Sequence, residues 1–361
     1  MKVGIILGTR PQIIKSAPVF KAFEKTDIAC SIINTGQHYD YEMNRAFFVD
    51  LHLPEPEANL DIGAGTANEQ ISKIIAGLEV HLAGNRPDLA IVPGDTNSAL
   101  AAGVACSKAG IPIAHLESGC RSNDIRMSEE VNRRVLDHIS QVLLCPTQLC
   151  AQNLRSERVL AEVTEVVGDT MYDSILQCAG SIAKSDAPKK YRAKKGAYAF
   201  MTLHRAENVD DPNALASILS AVGSFDIPVL FSVHPRTRAR MTQFKIREPA
   251  NVTSIEPLPY FDALRLAKDS RFVITDSGGL QKEAFWLKKP TLITRDTTEW
   301  VEIVEAGAAF LVGTDNQRIA DGYRQLKGLD EHLFDKIPMI FGDGNASQKV
   351  VDVVTKYLAV S

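Results

Sequence analysis

One segment that combines acids and bases directly follows an apolar run of this chain. Residues 115–134, "HLESGCRSNDIRMSEEVNRR", bring His, Glu and Arg side chains together in a turn-rich stretch. Carboxylates gathered at such a position can remove a proton from a bound molecule and return one, which is general acid–base catalysis. The acids that the first half of the chain offers for this chemistry are Asp95, Glu117 and Glu129.

The second half of the chain carries basic and glycine-rich segments after its apolar runs. His204 and Arg205 follow "AFMT", His234 follows "FSV", and the segment "DSGG" at 276–279 follows "FVIT". Adjacent glycines at the start of a helix let backbone amides approach an anion closely. These residues predict a binding site for phosphate.

The acids, bases and glycine turns all lie at the same place relative to the expected strands. Short apolar runs such as "VGIIL", "LAIVPG", "IPIAHLE" and "YAFMTLH" alternate with longer amphipathic stretches. Runs that are apolar throughout are typical of parallel strands covered by helices on both faces, which predicts an α/β protein made of βαβ units. Ligands bind beyond the carboxyl ends of such strands. The polar residues, including Arg10 in the turn "GTRPQ", therefore lie where a ligand is expected.

The length of the chain and one charged segment predict two domains. A chain of 361 residues is long for a single hydrophobic core. Residues 184–196, "KSDAPKKYRAKKG", have little to bury and suit an exposed connection. We therefore expect an N-terminal domain at 1–183, which carries the acids, and a C-terminal domain at 184–346. Residues 347–361 have the apolar spacing of a helix capped by Ser347, which could pack on either domain.

Composition and charge disfavour several classes of protein. The formal net charge is -4, so no general positive field would attract nucleic acid, and a small anionic ligand fits better. No apolar run approaches the roughly 20 residues that cross a bilayer, and we expect a cytoplasmic protein with no membrane contact. The 6 cysteines lack the spacing of zinc ligands, which predicts reduced, structural thiols and no metal site.

Several of these residues also have a purely structural interpretation. Asp95 could be the N-cap of a helix that starts near Asn97. His38 and His115 could be structural histidines whose ring nitrogens are satisfied by neighbours. Ser128 could cap a helix whose first turn holds the acids of "SEEVNRR". The sequence alone leaves these alternatives open.

A series of motifs resembles one known family. The segments "GTRPQIIKSAPV", "TGQHYDYEM", "PGDTNS", "HLESGCRS", "SEEVNR", "TLHRAEN", "DSGGLQKEA" and "GDGNAS" are similar to the ordered motifs of the non-hydrolysing UDP-N-acetylglucosamine 2-epimerases, over about residues 3–347. The resemblance implies two Rossmann-like domains in a GT-B arrangement, with the active-site cleft between them and the final helix packed back on the first domain. It also implies a homodimer with a role in polysaccharide biosynthesis.

The reaction implied by the resemblance is the interconversion of UDP-GlcNAc and UDP-ManNAc. It proceeds by anti elimination of UDP to a 2-acetamidoglucal intermediate, followed by re-addition, and it requires no cofactor. The resemblance assigns the catalytic roles to Asp95, Glu117, Glu129 and His204. The substrate-binding residues that it implies are Arg10, Lys15, Gln37, His38, Arg133, Arg205, His234, Ser277, Gly278, Gly279 and Glu283, of which Arg10, Ser277 and Gly278 hold the diphosphate and Glu283 the ribose.

Departures from the family pattern point to a possible second substrate. Ser128 replaces the usual proline before the paired acids, and "TTEWVE" places Trp300 where the family has an arginine followed by proline. The pattern is similar to the branch that acts on UDP-2,3-diacetamido-2,3-dideoxyglucuronate, whose extra carboxylate Arg126, Arg236 or Arg238 could receive. Ala206 replaces a usual arginine, which puts the allosteric activation known in the bacterial branch in doubt.

Two other functions would use some of the same features. A GT-B glycosyltransferase would bind a UDP-sugar but has little use for the clustered acids of the N-terminal domain, and its release of UDP would depend on an acceptor. A non-catalytic sensor of nucleotide sugars would tolerate the loss of Asp95, Glu117 or Glu129. A nicotinamide-dependent epimerase is disfavoured because no G-x-G-x-x-G follows the first apolar run.

Overall fold

The computed structural model describes residues 1–37 and 41–360. The chain divides into two compact units, one formed by Met1–Gln177 with Met339–Ser361 and the other by Cys178–Pro338. These bounds differ by several residues from those expected at 183/184 and 346/347.

The first unit is a seven-stranded parallel sheet with the strand order β3-β2-β1-β4-β5-β6-β7. Its strands are β1 Lys2–Leu7, β2 Ala29–Asn34, β3 Ala58–Asn59, β4 Leu89–Pro93, β5 Ile113–Leu116, β6 Val142–Cys145 and β7 Val163–Val166. Its helices are α1 Arg10–Phe23, α2 Tyr41–Asp50, α3 Ala67–Gly84, α4 Asn97–Lys108, α5 Ser128–Ile139, α6 Gln148–Ser156, α7 Thr170–Gln177 and the final helix α18 Ala346–Val360.

The second unit is a six-stranded parallel sheet with the strand order β10-β9-β8-β11-β12-β13. Its strands are β8 Ala199–Leu203, β9 Val229–Val233, β10 Val252–Ile255, β11 Phe272–Thr275, β12 Thr291–Ile293 and β13 Ala309–Leu311. Its helices are α8 Ala179–Lys184, α9 Ala187–Lys190, α10 Ala206–Val209, α11 Pro212–Gly223, α12 Pro235–Gln243, α13 Tyr260–Asp269, α14 Gly278–Trp286, α15 Val301–Glu305, α16 Asn316–Lys327 and α17 Leu333–Lys336.

The central strands of both sheets are buried on both faces, which is why their sequences are apolar throughout. All residues of β4 and β11 are buried, and apolar side chains from helices such as α4 and α11 complete the cores. The pairs of strands described in both sheets are parallel. The predicted α/β class with parallel sheets is confirmed.

The segment expected to be an exposed connection belongs to the second unit. Its side chains are largely exposed, but Ala187 at the start of α9 is completely buried in the core beside Tyr198 and Leu266. The Ser185 hydroxyl also donates to the Asp262 carboxylate of α13 at 2.5 Å. One small apolar residue and one polar contact are enough to fix a segment whose composition is otherwise that of a linker.

The N-caps of α4 and α5 are not the residues that the sequence offered as caps. Thr96, and not Asp95, caps α4, because its hydroxyl accepts the Ala99 N–H at 3.2 Å. Helix α5 starts at Ser128 with Met127 as its N-cap. The Ser128 hydroxyl donates to the Glu129 carboxylate at 3.2 Å and makes no cap hydrogen bond. Asp95 is therefore not needed as a cap, and Ser128 does not act as one.

The final helix α18 packs on α1 and α7 of the first unit. The buried carboxylate of Asp173 in α7 accepts the N–H groups of Ala346 and Ser347 at 3.2 and 2.7 Å, and the Ser347 hydroxyl at 2.6 Å. An acid from another helix therefore accepts the amides at the start of α18. The sequence suggested that the Ser347 hydroxyl would accept an amide as a cap, but it donates to Asp173 instead.

Within residues 1–37 and 41–360, the structure has no membrane-spanning helix, no metal-binding group and no disulfide. No helix there is long and apolar enough to cross a membrane. No group of three or more His, Cys, Asp or Glu side chains in the same part of the chain could hold a metal ion. The cysteines form no disulfide in this structure, and all except Cys30 are buried.

Candidate active site

The turn between β1 and α1 is fixed by Gln12. Its side-chain oxygen accepts the N–H groups of Gly8 and Thr9 at 2.9 and 3.1 Å, and its nitrogen donates to the Pro93 carbonyl at the end of β4, at 2.8 Å. A Cβ at Gly8 would overlap the hydroxyl oxygen of Ser98. The half-buried Arg10 follows this turn, and its guanidinium lies 5.7 Å from the ring centroid of Phe47.

Gln37, expected to bind substrate, contacts the start of α4. Its side-chain oxygen accepts the Ser98 N–H at 2.9 Å and the Ser98 hydroxyl at 2.8 Å. The carbonyl end of Gln37 is therefore used to hold the loop after β2, and its amide nitrogen is the end that a ligand would meet. His38, which was also expected to bind substrate, lies outside the described residues.

Two of the candidate acids come from neighbouring strand ends. β4 and β5 pair in parallel with Pro93 opposite Leu116. Glu117 follows Leu116 directly, and Asp95 follows Pro93 after one residue, Gly94. Gly94 adopts a φ of 72°, and a Cβ at this position would lie only 3.5 Å from a carboxylate oxygen of Glu117. The fold therefore brings these acids to the same edge of the sheet.

Each of these acids has a cation beside it. Lys15 of α1 forms an ion pair with Glu117, whose side chain is 13% exposed. Arg133 of α5 donates through Nε and Nη2 to Asp95 at 2.8 and 2.6 Å, and the Asp95 side chain is 27% exposed. Lys15 and Arg133 were expected to contact the substrate. In the structure, they form ion pairs with the candidate catalytic acids. Both acids remain reachable from solvent.

The backbone at Glu117 is strained. Its φ of 75° lies in the left-handed region, which side chains other than glycine seldom adopt. The conformation is held because the N–H groups of Glu117 and Ser118 both donate to the Leu144 carbonyl, at 3.0 and 3.1 Å. Gly119 follows with a φ of 77°, and any Cβ there would overlap the Cys150 carbonyl. Such strain is found preferentially at functional positions, where the fold imposes it.

His115 belongs to a buried cluster beneath this turn and is structural. Its Nδ1 lies 2.7 Å from the Asp137 carboxylate, and its Nε2 lies 2.9 Å from the Gly94 carbonyl. Asp137 also accepts the Gly119 N–H at 3.2 Å and pairs with Arg121 at 2.7 Å. Burial works to raise the pKa of Asp137, but the hydrogen bond and charge of His115, followed by Arg121, outweigh it and lower that pKa. The cluster therefore fixes the residues on both sides of Glu117.

Acidification would test this role of Asp137. Because its pKa is lowered on folding, its carboxylate stabilises the fold at neutral pH, and this contribution disappears as the pH falls below the ordinary value of 3.8 toward the folded pKa. Breaking a buried ion pair costs about 3–5 kcal/mol. We expect Asp137→Asn to lose roughly this free energy of unfolding at about pH 7 and to show a flatter acid dependence, measured by urea unfolding between about pH 7 and pH 3.

The matched control for this measurement is Asp352→Asn on the exposed face of α18, which should follow the wild type at every pH. Equal stability of Asp137→Asn and the wild type near neutral pH would contradict the structural role given to the cluster.

The paired acids at the start of α5 have different environments. Glu130 is completely buried and accepts the Ser122 N–H at 2.8 Å, and it pairs with Arg133 at 3.2 Å and Arg134 at 3.1 Å. Burial alone would raise the pKa of Glu130, but the Ser122 hydrogen bonds and the Arg133 charge lower it. Glu129, the candidate catalytic acid, is only partly buried. The structure thus distinguishes a structural acid from an accessible one.

In the second unit, His204 and Asp276 follow neighbouring strands. β8 and β11 pair in parallel, and the hydroxyls of Thr202 and Thr275 are 2.7 Å apart. The Asp276 carboxylate is completely buried and lies 3.0 Å from His204 Nδ1. It also accepts the backbone N–H groups of His204 and Arg205, both at 2.9 Å.

This pairing leaves the other side of the His204 ring toward solvent. The His204 side chain is 42% exposed, so Nε2 is the nitrogen that a ligand would meet. Burial works to raise the pKa of Asp276, but the hydrogen bond and charge of His204 outweigh it and hold that pKa below its ordinary value. An ionised aspartate on Nδ1 fixes the tautomer and orientation of a histidine.

The other basic residues expected in the second unit lie near His204. Arg205 donates through Nε to the Asp276 carbonyl at 3.2 Å. The His234 ring lies 6.0 Å from the His204 ring, measured between centroids. His234 also caps α12, because its Nδ1 accepts the Arg236 N–H at 3.2 Å. This hydrogen bond uses Nδ1 of His234 as an acceptor.

The "DSGG" segment forms the start of α14. Ser277 caps the helix, since its hydroxyl accepts the Leu280 N–H at 3.4 Å, and Gly278 is the first helical residue, followed by Gly279. Glu283 lies one turn further on, is 7% exposed and accepts the Tyr260 hydroxyl at 2.9 Å. The helix start and Glu283 are thus presented by the same helix.

Sequence reasoning missed Asp276 and Tyr260 as members of the site. Asp276 stands next to Ser277 in "DSGG" and was taken as part of the turn, because nothing local shows that it meets a histidine 72 positions away. Tyr260 carried no signal beyond its place after "EPLP".

The arginines considered as partners for an extra substrate carboxylate already contact acids. Arg126 is 87% exposed and donates to Asp124 at 2.7 Å. Arg236 pairs with Asp210, and Arg238 lies 3.0 Å from Glu256. A carboxylate-bearing ligand would have to compete with these exposed pairs, each of which contributes little stability.

Comparisons with known proteins show the family to which this chain belongs. A family model described as UDP-N-acetylglucosamine 2-epimerase matches residues 21–355. The UDP-N-acetylglucosamine 2-epimerase of Methanocaldococcus jannaschii is 39% identical, with 98% of this chain and 99% of that protein covered. The UDP-2,3-diacetamido-2,3-dideoxy-D-glucuronate 2-epimerase of Pseudomonas aeruginosa is 38% identical, with 99% and 100% covered.

Solved structures show the same relationship. The crystal structure of the M. jannaschii UDP-GlcNAc 2-epimerase in complex with UDP-GlcNAc and UDP superposes with a TM-score of 0.91 at 38% identity, over 99% of this chain and 100% of that one. The expected class, two Rossmann-like domains of the GT-B type, is therefore confirmed. The chain belongs to the UDP-N-acetylglucosamine 2-epimerase family and is an isomerase.

Proposed function

We propose that this protein interconverts UDP-GlcNAc and UDP-ManNAc by non-hydrolysing epimerisation at C2. The observation that carries the proposal is the pair of reachable acids at neighbouring strand ends, Asp95 and Glu117, each with a cation beside it. UDP is the part of the substrate that we assign to the second unit, at the start of α14 and beside His204. The similarity to epimerases that were solved with UDP-GlcNAc supports this assignment.

The chemistry of the substrate explains the need for acids. The hydrogen at C2 has no adjacent carbonyl to acidify it, so its removal has to be coupled to the departure of UDP from C1. A carboxylate positioned at C2 takes the proton as the C1–O bond breaks, and the anti elimination leaves 2-acetamidoglucal and UDP. Re-addition returns a proton to the opposite face of C2 and restores the bond to the diphosphate. We assign this proton transfer to Asp95, Glu117 and Glu129.

The departing diphosphate gains negative charge in the transition state. Donors that are already in place stabilise such charge, and each contributes about 3–4 kcal/mol in an enclosed site. The candidates are the amides at the start of α14, Arg10, Arg205 and the Nε2 of His204. Asp276 would keep His204 oriented toward this charge through its Nδ1. Glu283 would accept the ribose hydroxyls beside Tyr260.

A second candidate substrate is UDP-2,3-diacetamido-2,3-dideoxyglucuronate. The Pseudomonas aeruginosa relative that carries this name is 38% identical over nearly the whole chain, almost as similar as the M. jannaschii epimerase. Elimination and re-addition at C2 would be the same, because the extra groups lie elsewhere on the ring. Arg126 is the arginine that precedes α5 and the acid Glu129, so it is our first choice for the extra carboxylate.

The remaining proposals concern the setting of the reaction. We propose a homodimer that acts in the cytoplasm and supplies a nucleotide sugar for polysaccharide biosynthesis. The family resemblance supports the homodimer and the pathway, and the composition of the chain supports the location. Activation by a second substrate molecule is not part of the proposal, since Ala206 replaces an arginine of the family pattern.

Proton NMR in deuterium oxide tests the reaction. We expect the C2 proton signal of UDP-GlcNAc, or of the diacetamido-uronate, to disappear as the manno isomer forms, because the returning proton comes from solvent. Conversion of only one sugar would identify the substrate. Unchanged sugar in both samples would rule out the epimerase. UDP release that depends on an added acceptor would point to a glycosyltransferase, and binding without reaction to a sensor.

A further inference from the structure

A buried lysine lies next to the proposed diphosphate turn without a role in the reaction. Lys282, in the second turn of α14, is 1% exposed. Its ammonium lies 4.0 Å from the ring centroid of Trp300 and 5.7 Å from that of Trp286. A buried cation is costly unless it has partners, and an aromatic face is such a partner when water is excluded. The rings therefore help to keep this charge inside the protein.

Trp300 also contacts the turn itself. Its indole N–H donates to the Gly278 carbonyl at 3.0 Å, and its side chain is 6% exposed. Gly278 is the first residue of α14, so its carbonyl belongs to the first helical turn. One side chain thus connects the Lys282 ammonium with the backbone that is expected to bind the diphosphate.

The loop that carries Trp300 is attached to α14 at another point. The Thr298 hydroxyl donates to the Gln281 side chain at 2.6 Å and accepts the Trp300 N–H at 3.1 Å. The preceding acid, Glu299, accepts from Arg295 at 2.9 Å and lies 4.0 Å from Arg205. The segment between β12 and α15 therefore fixes both the start of α14 and an arginine of the proposed site.

We propose that Lys282 and Trp300 are positioning residues that hold the Gly278–Gly279 turn in its diphosphate-binding conformation. Glycine has the most mobile backbone of all residues, and amides stabilise an anion best when they need not move to meet it. The indole hydrogen bond restrains the turn, and Lys282 holds the indole. This inference rests on the proposed function, because it takes the nucleotide diphosphate as the ligand of the turn.

Hydrogen exchange in the ligand-free protein tests the restraint directly. Trp300→Phe keeps a ring for Lys282 but removes the N–H, and Lys282→Met removes the charge while keeping most of the length. We expect the amides at 278–280 to exchange about tenfold faster in both variants, while those in β11 are unchanged. The matched control is Lys268→Met on the exposed face of α13. Unchanged exchange in both variants overturns the proposal, whether or not UDP binds.

Binding of UDP connects the restraint to the ligand. By calorimetry, we expect both variants to bind UDP about tenfold more weakly. We expect KM for the UDP-sugar to rise and kcat to fall, because the turn holds the bound diphosphate and also stabilises the charge that it gains in the transition state. The chain has 2 tryptophans, and both lie beside Lys282, so UDP should change the intrinsic fluorescence of the wild type. Unchanged UDP affinity in both variants overturns the proposal. A wild type that binds no UDP refutes the proposed function, and the exchange rates then decide about the restraint alone.

Discussion

Glu117→Gln is expected to lower kcat by about 10²-fold or more while UDP binding is largely retained. The amide has the size and shape of the acid but cannot take up a proton, so the step at C2 loses its acceptor. The change also removes the ion pair with Lys15. Rates are measured by proton NMR in deuterium oxide, and UDP affinity by calorimetry. Asp95→Asn and Glu129→Gln are expected to lose similar factors.

The control for these variants is Glu165→Gln, an exposed acid on β7 of the same sheet, which should retain wild-type rates. Melting temperatures of all variants show whether the fold is intact. Near-normal rates for Glu117→Gln, Asp95→Asn and Glu129→Gln together would count against acid–base chemistry at this edge of the sheet. A loss of UDP affinity that parallels the loss of rate would instead mean that the acids bind the substrate.

Asp276→Asn is expected to reduce kcat by about 10²-fold, a loss typical of removing one donor that stabilises developing charge. Asparagine keeps an oxygen near His204 but lacks the charge that holds the Nδ1 proton, so the ring loses its fixed tautomer. His204→Asn should lose a comparable factor, and the double variant should be no slower than the slower single variant, since both changes remove the same function.

The pH profile distinguishes this role from a structural one. If Asp276 acts through His204, the pH dependence of kcat should change in the same way in Asp276→Asn and His204→Asn. Asp330→Asn, an exposed acid of the same unit, is the control. A double variant that is slower by the product of both factors would show that Asp276 and His204 act independently.

The sequence was sufficient for the parts of the fold that depend on local pattern. Apolar runs and the polar residues after them located the strands, and their carboxyl ends located the candidate acids. Helix starts were less certain, because Asp95, Thr96 and Ser128 all have side chains that can cap, and only the backbone geometry decides which one does. Ser347 was likewise expected to cap α18, but Asp173 of α7 accepts the N–H at the start of that helix instead.

Contacts between distant residues could not be predicted in this way. Asp95 meets Arg133 across 38 positions, and Lys15 meets Glu117 across 102. Such pairs depend on which strands are neighbours in the sheet, and a single sequence gives no measure of that order. The same reason hid Asp276 as the partner of His204. The segment 184–196 is largely exposed, as its composition indicates, and its attachment to the second unit through the buried Ala187 is another contact that composition does not show.

The left-handed backbone at Glu117 has a consequence for how this protein can change. Glycine would relieve the strain at that position, but Glu117→Gly would also remove the ion pair with the nearly buried Lys15. The two effects act on the free energy of unfolding in opposite directions. An engineer who hardens this scaffold therefore gains little from that exchange and gives up a side chain on which turnover is proposed to depend.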